Sequence, residues 1–102
     1  MLEIRPNCEQ CARELPPDST VAVICSYECT FCTDCAERVL LNVCPNCGGG
    51  FVQRPIRPAK AWREGVSVEH QLPSTQRVHS KYALTDLTEH IKKIKSIEPE
   101  NR

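Results

Sequence analysis

Eight cysteines, all between Cys8 and Cys47, constrain this chain more than any other feature. They run Cys8-x2-Cys11-x13-Cys25-x3-Cys29-x2-Cys32-x2-Cys35-x8-Cys44-x2-Cys47. A gap of two residues lets both sulfurs of a pair turn toward one ion, with nearby backbone N–H groups free to bond them. Tetrahedral zinc takes four such thiolates at about 2.3 Å. Eight cysteines therefore make two closed sites, holding two structural Zn2+ ions. Soft sulfur ligation selects zinc over magnesium or calcium. Four thiolates per ion leave no open position for water, which argues against hydrolytic metal chemistry. Four disulfides are the competing reading for a secreted chain, and an iron–sulfur cluster also uses closely spaced cysteines. A redox CxxC is weaker, because the pairs recur as ligands do.

The rest of the composition makes such cross-links necessary. With 102 residues, 5% of them aromatic, the chain cannot build a large apolar core. No apolar run reaches the roughly 18 residues of a membrane span. The opening MLEIRPNCEQ has no basic segment followed by an apolar stretch, so a cytoplasmic location is expected. In a reducing compartment thiols bind metal more often than they pair. Charge is divided unevenly: residues 1–47 hold three basic and seven acidic side chains, and residues 48–102 the other ten basic and six acidic. A neutral total thus hides an acidic front of −4 and a basic back of +4.

Local signals place the ligands. Ser19 to Cys25 (STVAVIC) is β-branched and follows a Pro16-Pro17-Asp18 turn, which reads as a strand. Thr33-Asp34 is expected to cap a short helix whose Ala36, Val39, Leu40 and Val43 form a miniature core. Gly48-Gly49-Gly50 reads as a flexible exit.

The stretch CTFCTDCAERVLLNVCPNC, with Phe31 before Cys32, a helix after Cys35 and the closing Cys44-Pro45-Asn46-Cys47, resembles the RING finger, a treble-clef relative. Cys29 stands where the commonest RING version has histidine. The resemblance implies a small zinc-stabilised α+β fold with a short hairpin and one helix in residues 5–50. It also implies cross-braced ligation: Cys8, Cys11, Cys32 and Cys35 on one ion, and Cys25, Cys29, Cys44 and Cys47 on the other. Sequential sites, the first four cysteines and then the last four, stay open on zinc geometry alone. RING ligases bind a ubiquitin-conjugating enzyme through an apolar residue between the first two cysteines and often a cation after the last. Here Glu9-Gln10 and Gly48 stand there, although Val39, Leu40 and Pro45 are compatible. The chain from its first residue to about 58 also resembles a small bacterial cysteine-rich family of unassigned function.

Residues 51–63 read as a basic, proline-containing arm. Arg54, Arg57, Lys60 and Arg63 recur every three residues, so a polyproline II arm would align them on one edge, with Trp62 on another. They are the candidate contacts for an acidic partner or for nucleic acid. The plainer reading lays the arm on the chain's own acidic front. Residues 64–81 read as linker. Residues 82–98 read as an amphipathic helix with Thr85 as N-cap, Pro99 as stop and an apolar stripe of Leu84, Leu87, Ile91 and Ile94. That stripe must dock on the zinc module, form a homodimer through residues 84–97, or fray. His70, His79 and His90 lack ligand spacing and are expected to be solvated. No catalytic constellation stands out. The expected function is protein–protein interaction, with a ubiquitin-ligase-like adaptor and nucleic-acid binding as rivals.

Overall fold

The computed structural model describes residues 1–102. Three short strands form an antiparallel sheet in the order β2-β1-β3: β1 (Ala22–Ile24), β2 (Thr30–Cys32) and β3 (Val52–Gln53). Ala22 pairs with Cys32 and Ile24 with Thr30, while Val23 faces Gln53 on the other side. The strand expected over residues 19–25 is thus shorter. It stops at Ile24 because the next residue begins the thiol-bearing turn, where Cys25 N–H bonds back to Cys29 O. The third strand comes from residues expected to lie in an extended arm. Behind the sheet Phe31, wholly buried, meets Phe51 edge-on with ring centroids 5.2 Å apart.

The helix expected after Thr33-Asp34 is one wide turn, Cys35–Val39, closed by a bond from Leu40 N–H to Cys35 O. Neither expected capping residue caps it. The Thr33 hydroxyl donates instead to Val21 O at 2.9 Å, tying the turn to β1, and Asp34 makes no cap bond. Leu41 (φ 49°) and Asn42 (φ 62°) then reverse the chain. Ala36, Leu40 and Val43 are buried as expected, but Val39 is exposed because the turn ends before a second helical repeat can carry it inward.

Only one α-helix follows, α1 (Leu84–Ile94). Ala83, not Thr85, occupies the N-cap, and no side chain caps this end. Burial of Leu87 and Ile91 sets where the helix sits, and Thr85 falls inside the first turn. Leu84, counted in the apolar stripe, is exposed. Leu87 and Ile91 join the same buried cluster as Leu40, Val43 and Cys44, so the helix docks within its own chain. A 3-10 turn, Pro99–Asn101, ends the ordered backbone beyond it. No helix is long and apolar enough to cross a membrane.

Residues 64–81 are fastened to the opening loop. Ser74 N–H donates to Glu3 O, Ser80 N–H to Glu9 O, and Asn7 Nδ2 to Val78 O. Arg77 reaches Glu14 and Ala12 O. Composition alone reads this stretch as linker because, the Arg77–Glu14 pair aside, its fastenings each use at least one backbone group, which leaves no side-chain pattern.

Candidate metal centre

Two cysteine-bearing loops have the same backbone. Cys8 N–H donates to Arg13 O and Ala12 N–H to Cys8 O; Cys44 N–H donates to Gly49 O and Gly48 N–H to Cys44 O. In each loop the residue after the second cysteine is left-handed, Ala12 at φ 65° and Gly48 at φ 78°. This knuckle curls the chain so that both sulfurs of the pair point into its concave side while N–H groups turn toward them. Cys11 N–H lies 3.5 Å from Cys8 Sγ and Gly49 N–H 3.4 Å from Cys47 Sγ. Gly48-Gly49-Gly50 is therefore the closing half of a knuckle, not a flexible exit. The Cys25–Cys29 turn varies the theme, with Glu28 left-handed at φ 65° and Tyr27 N–H 3.3 Å from Cys25 Sγ.

The first knuckle meets the end of β2 and the start of the helical turn. The sulfurs of Cys8, Cys11, Cys32 and Cys35 lie within 4.8 Å of one another. Cys11 Sγ and Cys32 Sγ are 3.8 Å apart. A tetrahedron with metal–sulfur bonds of about 2.3 Å has edges of about 3.8 Å, so this pair already stands at a ligand separation. The second knuckle meets the loop after β1, and Cys25, Cys44 and Cys47 share the same mutual limit. Cys29 falls outside it, and Asn46 Nδ2 donates to its sulfur at 3.3 Å. The structure thus contains two cysteine clusters able to hold metal ions. Asn46 carries no metal-ligand signal of its own; only its place inside the last CxxC pair marked it.

Crowded thiols cannot all ionise without a cation. The bond from Cys44 pulls Cys29 down to about 5, and the same bond, with burial, pushes Cys44 well up. Burial raises Cys25 to about 11 and drives Cys35 and Cys8 upward. Bringing four thiolates together requires a divalent charge among them. The donor set therefore fits a soft, tetrahedral cation.

Around this centre three residues stand where the sequence did not suggest. Glu9, inside the first CxxC pair, is buried, and its carboxylate accepts from Thr30 N–H and from Arg5 Nη1. Burial works against the Arg5 charge, but bonds to Glu9 and Glu3 outweigh it and raise its pKa. His90, expected to be solvated, is half-buried and bonds Cys44 O through Nε2 at 3.0 Å. His70 and His79 are exposed, His70 beside the Ser67 hydroxyl and His79 beside Ser80 O. Arg54 is 2% exposed and donates to three carbonyls, those of Arg5, Leu15 and Pro16. Burial holds its pKa below the ordinary arginine value.

The basic arm accordingly does not present its four cations along one edge. Arg54 is enclosed and Arg57 donates to Gln71 O and Leu2 O. Both guanidiniums are spent on backbone carbonyls, because β3 draws the arm onto the sheet instead of leaving it as a polyproline II rod. Lys60, Trp62 and Arg63 are exposed, with Lys60 Nζ 4.6 Å from the Trp62 ring centroid. Pro45 is buried, whereas Val39 is exposed.

The family described as "Protein of unknown function (DUF1272)" matches residues 1–57. A protein of Rhizobium meliloti (strain 1021), itself uncharacterized, is 64% identical over 59 residues, covering 58% of this chain and 70% of that relative. No solved structure matches.

Proposed function

We propose that this chain, which belongs to the DUF1272 family of proteins of unknown function, is a protein-interaction module with an adaptor or regulatory role, built on two structural zinc ions. Cys8, Cys11, Cys32 and Cys35 hold one ion, and Cys25, Cys29, Cys44 and Cys47 the other, in a RING-like cross-brace. The observation that carries this reading is the first quartet. Its four sulfurs come from two separate chain segments and lie within 4.8 Å of one another. Zinc bound there supplies folding free energy instead of a reaction centre, since four thiolates close its coordination. Cys29 is the fourth ligand of the second site: it shares a turn with Cys25, and Asn46, between Cys44 and Cys47, donates to its sulfur at 3.3 Å.

The rival readings draw less support. A ligase-like surface needs an apolar anchor between the first two cysteines, and Glu9 there is buried in an ion pair. A nucleic-acid contact would have Lys60, Trp62 and Arg63, without Arg54 and Arg57, and a footprint that thin gives little affinity.

Elemental analysis of the full chain tests the metal directly: two zinc equivalents are expected. Cys32→Ser should lose one equivalent and shift the signals of Cys8 and Cys11 while sparing Cys44 and Cys47. Loss at Cys44 and Cys47 with the Cys8 pair intact would overturn the cross-brace. Capture of partners with the full chain, with and without nuclease, tests the adaptor role; capture abolished by nuclease would favour nucleic acid.

A further inference from the structure

We infer that the groove between the Val39–Leu41 loop and α1 docks an acidic segment of a partner protein that carries one apolar anchor side chain. This rests on reading the chain as an interaction module, and names the surface and the partner chemistry.

The groove is lined by Val39, Leu41, Thr88, Ile91, Lys92 and Lys95 and encloses about 260 Å³. Small-molecule sites usually start at roughly 300 Å³ and are more enclosed, so this space suits a single protruding side chain better than a cofactor. Its floor is apolar, with Ile91 buried and Val39 and Leu41 both about 40% exposed, at 40% and 42%. Leu84 extends the apolar surface along the helix, one and two turns before Thr88 and Ile91.

Leu41 supplies the second observation. It is left-handed at φ 49° in the position after a helical turn, where glycine or asparagine is the ordinary residue. Asn42 beside it suits that conformation; leucine does not. The backbone leaves no choice. Leu40 and Val43 are wholly buried on either side, Arg102 Nη1 grips Asn42 O at 2.6 Å, and Phe51 N–H bonds Asn42 Oδ1 at 2.9 Å. The chain thus holds a strained residue whose apolar side chain stays partly open to solvent, at 42% exposure, and strain of this kind collects at functional sites.

Charge selects the partner. Lys92 and Lys95 stand on the groove's rim, and the three ion pairs of the protein all lie elsewhere, at Arg5 and Arg77. Glu37 and Arg38 on the adjoining turn offset each other. Two unpaired ammonium groups beside an apolar floor complement carboxylates flanking a large apolar side chain.

The test is a random-peptide display selection on the metal-loaded full chain, followed by affinity measurements on labelled winners. Selected peptides should place Asp or Glu around one large apolar residue, and their binding should weaken with salt. Leu41→Asn, which suits the left-handed backbone, should raise the melting temperature while lowering affinity at least tenfold. Lys92→Glu with Lys95→Glu should lower affinity by a similar factor. A merely structural role for Leu41 would not couple higher stability to lost binding. Selection of neutral peptides, no selected peptide, unchanged affinity in Leu41→Asn, or a lower melting temperature for that variant would each overturn the proposal. Zinc content measured on the same samples separates the failures: two equivalents without groove-dependent binding refutes the groove alone, and absent metal refutes the module.

Discussion

Residues 1–57 and residues 58–102 are ordered by different means. Every buried apolar side chain except Leu87 and Ile91 lies at or before Pro45, and six of the eight cysteines are among them. In the front, knuckles with repeated backbone bonds gather the thiols into two clusters able to hold metal, so short loops set the geometry. The back has no cysteine. Its α1 spans 11 residues, below the roughly 12–15 at which an isolated helix becomes marginal in water. Burying Leu87 and Ile91 contributes about 2 kcal/mol each, enough to hold the helix only while the surface beneath it exists. One half of the molecule is gathered around clustered thiols, the other is laid on.

That difference predicts a hierarchy. Stripping metal should have the largest effect, since structural zinc supplies on the order of 10 kcal/mol in small zinc modules. Circular dichroism and amide exchange should show residues 8–47 unfolding on chelation, with α1 lost in the same step because its dock is gone. A verified metal-free sample that keeps both halves folded would break the comparison. The sign with pH follows from the proposed ligands: protons compete for the thiolates, so metal content should be full at neutral pH and should fall as pH falls.

Arg54 comes next. It belongs to the region matched by the family, yet its three carbonyl partners hold the opening loop to β3. Arg54→Met keeps much of the volume and strands the carbonyls, at a cost of about 3 kcal/mol. Arg54→Lys should recover little, because one ammonium cannot reproduce the planar fork. Denaturant melts of the metal-loaded protein check both. Full stability in Arg54→Met would mean that ligation alone fixes the front.

How much of this was legible followed from what kind of bond did the ordering. Thiols announce themselves by identity and spacing, so the cysteine-rich character and the two clusters could be read in advance, and Ala36, Leu40 and Val43 by their pattern. Arg54 misled, because the three-residue repeat of cations is visible in sequence while the carbonyls awaiting one of them are not. Thr33 and Asp34 misled for a similar reason: a hydroxyl beside a helix start reads as a cap, and only the fold brings Val21 O within reach of it. His90 and the segment 64–81 are held by backbone groups, which every residue carries and no spacing reveals. The Leu87–Ile91 stripe showed an apolar face but not what would cover it.

The two smallest effects test whether the back is merely laid on. Gly48 belongs to the second knuckle, and a Cβ there would sit 3.2 Å from Ile94 Cδ1 on a backbone at φ 78°. Gly48→Ala should cost about 1–2 kcal/mol from the left-handed conformation, and the added methyl should push α1 away. Exchange in residues 84–94 should quicken while zinc content stays at its starting value; loss of metal would show the knuckle, not the helix, to be the weaker partner. Smaller still is Arg77→Ala. Its pair with Glu14 is exposed, with side-chain accessibilities of 50% and 70%, and exposed pairs are worth at most about 1 kcal/mol. Melting should barely change in low salt or high. If Arg77→Ala instead frees residues 72–81 to exchange, its second bond, to Ala12 O, fastens the back to the first knuckle, and the two halves are joined by more than burial.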